Sequence, residues 1–456
     1  MNLRDRLSRA GTPQNLFLAD RSSRRALRDS LDAAARVDVA ERLAGRSVLV
    51  ATGGQMAAAL AMIALDGLVR RMVLAPPGMT AEQVPGVLAD AEIDLCVTDA
   101  GCPFRAALDG LPCIEAADAA LAAAPDVQQP TEWVLTTSGT TGAPKLVAHT
   151  LEGLAGGINT AAAPDPGTVW STFYDIRRYG GLQVFLRAIL GPSPLVLSDP
   201  DEPVREYILR AAEAGVTHIL GTPSHWRLAL MSTALPHLKA RYLRLSGEIA
   251  DQAILDLLRG AFPEARIAHA YASTEGGVGF TVEDGREGFP AGLVGARTGI
   301  EIVVRDDTLH IRSNRTGRRY LGEGAAALAD EEAFVDTGDL VERRSDRFFF
   351  LGRRSGMINV GGAKVQPEEV ETVINGHPRV SMSRVRARPN PILGAVVEAE
   401  IVLRSDAAEE ADPAALKTAI IAHCRPHLAK HKVPVSVKFV PDLPLTAGGK
   451  LLRRAP

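Results

Sequence analysis

Short apolar runs alternate with stretches of helical periodicity along most of the chain. The runs at 47–52, 71–75, 93–98 and 132–135 read as buried strands. Gly53-Gly54 turns the first of them into an Ala/Met/Leu-rich helix reaching about residue 68. The pattern continues with strands at 147–150, 169–173, 195–197 and 217–220, an amphipathic helix at 203–214, a strand at 242–246, a helix at 251–259 and a strand at 266–270. Strand and helix in regular alternation argue for parallel α/β sheets. Residues 1–45, rich in Arg, Asp, Ala and Leu, predict helices. From 290 to 322 the period falls to two, with strands at 301–304 and 308–311 and a hairpin over 343–351. Beyond 355, strands at 380–388, 396–402 and 436–440 and helices opening at Pro367 and spanning 413–428 form a smaller α+β unit. Pro367 with Glu368 and Glu369 marks a helix start.

The run Thr136-Thr137-Ser138-Gly139-Thr140-Thr141-Gly142-Ala143-Pro144-Lys145 follows the strand at 132–135. It holds two glycines, five hydroxyl side chains and one lysine. Glycines let the backbone approach an oxyanion, and hydroxyls and amides donate to phosphate oxygens. It is not a Walker A loop, which requires Gly-Lys-Ser/Thr before a helix. Proline ahead of Lys145 predicts a mobile loop. Gly53-Gly54 opens no Gly-x-Gly-x-x-Gly, so a dinucleotide fingerprint is excluded.

At 456 residues the chain suits a large domain plus a small one, and its net charge of −3 gives no case for nucleic acid or an anionic membrane. Cys96, Cys102, Cys113 and Cys424 form no Cys-x-x-Cys pair. The N-terminus lacks a signal-peptide core and no run is long enough to span a membrane, so a cytoplasmic location is expected. His225 and Trp226 have no partner carboxylate in sequence and read as packing.

Thr-Ser-Gly-Thr-Thr-Gly-x-Pro-Lys resembles the phosphate loop of the adenylate-forming superfamily, and further motifs follow in order. Tyr271-Ala272-Ser273-Thr274-Glu275 resembles Tyr-Gly-x-Thr-Glu, with Ala272 for the usual glycine. Thr337-Gly338-Asp339 and Gly352-Arg353 follow. Pro444-Leu445-Thr446-Ala447-Gly448-Gly449-Lys450 resembles the terminal Pro-x-Thr-x-x-Gly-Lys. The chain is thereby identified as resembling the acyl- and aryl-CoA synthetase branch. The resemblance implies a large α/β AMP-binding domain with a β subdomain (1–354) and a small mobile α+β domain (355–456) hinged near Ser355.

It further implies an ATP- and Mg²⁺-dependent ligase that makes acyl-AMP and transfers the acyl group to CoA. The alternatives are loading of a carrier-protein thiol or an amine, and a degenerate homologue that only binds nucleotide. The implied ATP site is Thr137, Ser138, Gly139, Thr140, Thr141, Gly142, Lys145, Gly247, Glu248, Tyr271, Ala272, Thr274, Asp339 and Arg353. Lys450, Glu275 and Thr140 would be catalytic, with Glu275 as the Mg²⁺ ligand and Asp339 holding the ribose diol. Tyr174, Arg178, Gly181 and Gly247 would line the acyl pocket, and Gly361, Gly362 and Lys364 would meet CoA. Arg178 stands where the family usually has histidine. Unless protein acids such as Asp175 pair with Arg177 and Arg178, a small or aromatic acid with a second polar or anionic group is expected. Ser355 and Asn359 replace the usual hinge residue and a common lysine. Monomer and homodimer both remain open.

Overall fold

The computed structural model describes residues 2–9, 16–32, 36–122, 129–137, 144–159, 165–404 and 412–453. Two sheets dominate. One has seven strands, in the order Arg319–Leu321, Lys145–His149, Glu132–Thr137, Arg71–Leu74, Ser47–Ala51, Leu95–Thr98 and Cys113–Glu115. Its last five strands run parallel, and Lys145–His149 pairs antiparallel to both its neighbours. The other has eight strands and runs from Gly277–Val282 through Arg266–Ser273, Tyr242–Ser246, His218–Gly221, Trp170–Thr172, Leu195–Val196 and Phe17–Ala19 to Arg24–Ala26. The last two correct the expectation of a helical N-terminal segment. Phe17–Ala19 is wholly buried, and burial there outweighs the helix propensity of its neighbours.

Burial on both faces explains why these strands read as continuous apolar runs. On Ser47–Ala51, Val48 and Val50 face one core while Leu49 and Ala51 face another. The central core holds side chains from both sheets and from two helices, Gln55–Leu65 and Tyr179–Leu190, which therefore lie between the sheets. Both helices are apolar nearly all round, as interior helices must be. Amphipathic helices Val204–Glu213, Pro223–Leu230 and Gln252–Ala261 cover the outer face of the eight-stranded sheet.

A third, six-stranded antiparallel sheet is built from Phe289–Pro290, Gly295–Arg297, Ile300–Arg305, Thr308–Ser313, Val335–Arg344 and Arg347–Arg353 around an aromatic core. A separate core collects residues from Ile358 to Val437 beneath Pro367–Asn375 and Pro413–Cys424. The large and small units and the β subdomain are thus each recognisable by an apolar core. No helix among the described residues is long and apolar enough to cross a membrane.

Arg177 ties the two large sheets together. Its Nε and Nη2 donate to Asp175 at 2.8 and 2.7 Å, and its Nη1 donates to the carbonyl of Thr52, just past the strand Ser47–Ala51. Arg177 is 3% exposed and Asp175 6%. Removing one partner strands the other charge in the interior, which costs about 3–5 kcal/mol. Arg177→Met is therefore expected to lose stability of that order in denaturant unfolding. Asp175→Asn combined with Arg177→Met should recover part of the loss, and equal stability of Arg177→Met and wild type would refute this role.

Candidate active site

The strand Glu132–Thr137 pairs antiparallel with Lys145–His149, Thr137 lying opposite Lys145. The expected phosphate loop is the connection between them. Ser138, Gly139, Thr140, Thr141 and Gly142 lie outside the described residues, so its two flanks alone are placed. Lys145 is exposed, its Nζ 5.1 Å from the Tyr320 ring centre. The Tyr320 hydroxyl donates in turn to Glu275 Oε1 at 3.4 Å. Register explains the meeting, since Arg319–Leu321 extends the sheet beside Lys145–His149 with Tyr320 opposite Val147. Thr274 and Glu275 form the turn between Arg266–Ser273 and Gly277–Val282, where the Glu275 carbonyl accepts from Gly317 N at 2.8 Å. Tyr320 belongs to no motif that sequence reading singled out.

A second corner gathers Tyr271, Asp339 and Arg353. The Tyr271 hydroxyl donates to Asp339 Oδ2 at 2.5 Å and Arg353 Nε to Oδ1 at 3.1 Å. Asp339 and Arg353 are register partners on adjacent strands. Each carboxylate oxygen keeps a second lone pair for a diol. Phe350 stacks on Tyr271 at 5.2 Å between ring centres and 11°, leaving the ring 9% exposed. Protein thus already covers one face of the Tyr271 ring. Ala272 follows, half-buried.

Lys450 reaches the same cleft from the small unit. A tight turn presents it: Thr446 N donates to the Lys450 carbonyl at 2.7 Å and Gly449 N to Thr446 O at 2.8 Å. Thr222 Oγ1 donates to the Gly449 carbonyl at 2.6 Å, and Leu451 N donates to Glu248 Oε1 at 2.8 Å. The other Glu248 oxygen accepts from Ser224 N at 2.9 Å. Glu248 was expected to bind ATP; here each of its oxygens accepts a backbone amide, and through Leu451 it positions this turn. Gly247, at φ +86°, leaves space for the lysine, because a Cβ there would stand 3.1 Å from Lys450 Cε. The Lys450 side chain is open to cleft water, yet enclosing walls lower its pKa by desolvation. Arg353 and Arg178 act in the same direction, and Glu248 and Asp339 oppose them.

His225 is packing, as its sequence context suggested. It stacks on Phe173 at 5.2 Å, caps its own helix with Thr222 and is kept neutral by burial, which pushes its pKa down to about 4. Trp226 is fully buried. The acyl-side candidates part company. The Tyr174 hydroxyl meets Ser246, at 2.7 Å to the carbonyl and 3.0 Å to Oγ. Arg177 is taken by Asp175. Arg178, expected in the acyl pocket, donates from Nη2 to Pro77 O at 2.7 Å and lies beside Gly448, so it belongs to the seam with the Lys450 turn. Gly181 is a helix-packing glycine, because a side chain there would overlap the Asp175 carbonyl.

Gly361, Gly362 and Lys364 are exposed on the small unit's hairpin, Ile358–Val360 with Ala363–Val365. Gly361 N donates to Leu393 O at 2.9 Å, and Gly362 N to Asn359 Oδ1 at 3.0 Å. Their bonds stay within the small unit, apart from the Lys450 cleft.

Two helix-filled sheets, an appended β subdomain and a small unit that brings a lysine toward a Tyr–Asp–Arg corner define the architecture of the AMP-binding enzymes. Residues 42–321 match the AMP-binding enzyme model and 369–450 match the AMP-binding enzyme C-terminal domain. The chain belongs to the AMP-binding enzyme family. It is 28% identical over 343 residues to a mitochondrial acyl-coenzyme A synthetase, ACSM5, of Rattus norvegicus, covering 70% of this chain and 59% of that one. It is 29% identical over 352 residues to a 2-succinylbenzoate–CoA ligase of Geobacillus kaustophilus, covering 70% and 68%. The chain thus spans less than two thirds of the rat protein's length. Among solved structures, anthranilate CoA ligase AuaEII in complex with anthranoyl-AMP superposes with a TM-score of 0.82 at 19% identity, over 99% of this chain and 95% of that one.

Gly449 sits at φ +69° with its α-carbon against the His225 imidazole, which any side chain would overlap. Gly449→Ala should therefore displace the Lys450 turn and lower adenylation kcat/KM roughly 10- to 100-fold, the cost of an ångström-scale misplacement. The melting temperature should hardly change. Wild-type pyrophosphate release by this variant would show that the docked turn is not the working arrangement.

Proposed function

We propose that the chain is an ATP-dependent carboxylate–CoA ligase that activates an acid as acyl-AMP and transfers the acyl group to CoA. The observation that carries the proposal is the placement of Lys450 over Gly247, within electrostatic reach of Asp339 and Arg353. In-line attack of a carboxylate on the α-phosphorus gathers negative charge, so catalysis is positioning and charge neutralisation. Lys450 would stabilise the attacking carboxylate and the α-phosphate oxygens. Asp339 would hold the ribose diol with Arg353 beside it. Thr137, Lys145 and the intervening loop would hold the pyrophosphate end.

Among the described residues no cluster of three or more His, Cys, Asp or Glu could cage a metal ion. A single half-buried carboxylate, Glu275, suits Mg²⁺, which is commonly bound through one or two carboxylates plus substrate phosphates. Glu275 would hold the ion, which when bound would supply charge neutralisation at the phosphates. Gly361, Gly362 and Lys364, on another face of the small unit, would meet CoA after that unit turns about the hinge near Ser355. The names of relatives support a thiol acceptor: acyl-CoA, 2-succinylbenzoate–CoA and oxalate–CoA ligases, and a fatty acid–acyl-carrier-protein ligase of Mycobacterium marinum.

The two half-reactions should separate by residue. Lys450→Ala should lower acid-dependent pyrophosphate release on the order of 10²- to 10³-fold. Transfer from prepared acyl-AMP to CoA should stay within a few-fold. Gly361→Leu should do the reverse. Equal loss of both half-reactions in Lys450→Ala would refute the division. Transfer to a holo-carrier protein and not to CoA would reassign the acceptor, and no pyrophosphate release across a broad acid panel would refute the ligase reading.

A further inference from the structure

Behind the reacting cleft, three arginines from three elements converge. Arg187 lies on the helix Tyr179–Leu190, Arg244 on the strand Tyr242–Ser246, and Arg315 just past the strand Thr308–Ser313. Arg187 Nη2 donates to the Gly157 carbonyl at 3.3 Å, and Arg315 Nη1 stands 3.8 Å from the place a Gly157 side chain would begin. Arg315 Nη1 also donates to the Val278 carbonyl at 3.1 Å. Arg244 is 7% exposed and makes no hydrogen bond or ion pair among the described residues. Arg315 Nε is buried there without a hydrogen-bond partner, and the buried Tyr179 hydroxyl lies within electrostatic reach of all three guanidiniums.

Arg244 and Arg315 add positive potential at Arg187, which forms no ion pair among the described residues. Burial, reinforced by Arg244, pushes the Arg187 pKa down to about 10. Elsewhere in this interior, buried arginines are neutralised: Arg177 by Asp175, and Arg227 by Asp251 at 2.6 Å. Gathering several buried guanidiniums without an acid is unfavourable unless a ligand supplies the anion.

Register connects this cluster to the chemistry. Arg244 and Ser246 share a face of the strand. Ser246 receives the Tyr174 hydroxyl, and the next residue, Gly247, lies against Lys450. From Gly247 inward to Arg244 is three residues, or roughly 10 Å at strand spacing.

We propose that this cluster is the specificity subsite of the acid, binding a second anionic group held about three strand residues from the carboxylate that is activated. This deepens the ligase reading and rests on it. The substrate class is a dicarboxylic acid with a medium-length or aromatic spacer. A one- or two-carbon spacer is shorter than that backbone separation.

The test measures ATP-dependent pyrophosphate release by the full chain for matched pairs: heptanoate against heptanedioate, and 3-phenylpropanoate against 3-(4-carboxyphenyl)propanoate, with malonate as the short diacid. At least one longer diacid should exceed its monoacid about 10²-fold in kcat/KM, because a monoacid leaves the guanidiniums unpaired. Arg244→Met should lower the diacid value by a similar factor and raise the monoacid value several-fold. Arg187→Met repeats the test should the first variant fold poorly. Monoacids used as well as diacids, malonate used best, or both acids losing equally in the variants would overturn the subsite while the ligase reading stands. If no acid releases pyrophosphate, the ligase reading fails. Calorimetry of the same diacids on wild type and Arg244→Met then decides the subsite: binding lost in the variant supports it, and no binding to wild type overturns it.

Discussion

The site exists through one docking event, the seating of the Thr446–Leu451 turn on Thr222, Gly247 and Glu248. Two hydrogen bonds fix it, one from the Thr222 hydroxyl to the Gly449 carbonyl and one from Leu451 N to Glu248. Two glycines permit it. Gly247 clears space for the lysine stem and Gly449 clears the His225 ring. Tyr271, Asp339 and Arg353 form their corner without the turn, and the lysine adds a cation within electrostatic reach of Asp339. A flexible ammonium delivered this way acts only while the seam is closed.

The fold was legible because it follows a simple rule. Strands buried on both faces are short continuous apolar runs, and those at 47–52, 71–75 and 217–220 fall within a residue or two of their places. What escaped was tertiary. Phe17–Ala19 is a strand because a sheet edge was available beside Leu195–Val196, which no local pattern declares. The ordered motifs named Asp339, Arg353 and Lys450, which the fold brings within electrostatic reach of one another. Two partners were not legible in those motifs: the Glu248 carboxylate accepts backbone amides of Ser224 and Leu451, and Arg178 lies at the domain seam. The motifs were silent on Tyr320, which joins Lys145 to Glu275 only through strand register. Arg187, Arg244 and Arg315 lie 57 and 71 positions apart in sequence, and nothing but the fold makes them neighbours.

The interior shows two treatments of buried charge. Where rigidity is needed, each arginine has its acid: Arg177 with Asp175 between the sheets, Arg347 with Asp284 at 2.5 Å under the β subdomain, Arg453 with Glu371 at 2.6 Å in the small unit. Each such pair satisfies donor and acceptor together, which is the condition for tolerating charge in an interior. The cluster behind Tyr174 breaks that pattern in a place with tyrosine and glycine walls and no acid. A functional pocket is where local consistency is expected to fail, because the missing partner arrives with the substrate.

The seam between the units shows how such a lysine can come and go. Arg227 is paired with Asp251 inside the large unit, and Arg453 with Glu371 inside the small one. Contacts that cross are hydrogen bonds: Arg227 Nη1 to the Ser381 carbonyl at 2.8 Å, Asn375 Nδ2 to Asp251 at 3.1 Å, and the two that hold the Lys450 turn. Among the described residues no ion pair spans the seam. Separation would therefore leave every buried charge with its partner and exchange a few hydrogen bonds for bonds to water, each worth about 1 kcal/mol net. The apolar contact across the seam is correspondingly slight, with Leu228 packed against Met382, Val402 and Leu443. An interface of this composition holds a defined closed state at low cost to its release, and that property is what a single domain needs to serve two half-reactions in turn.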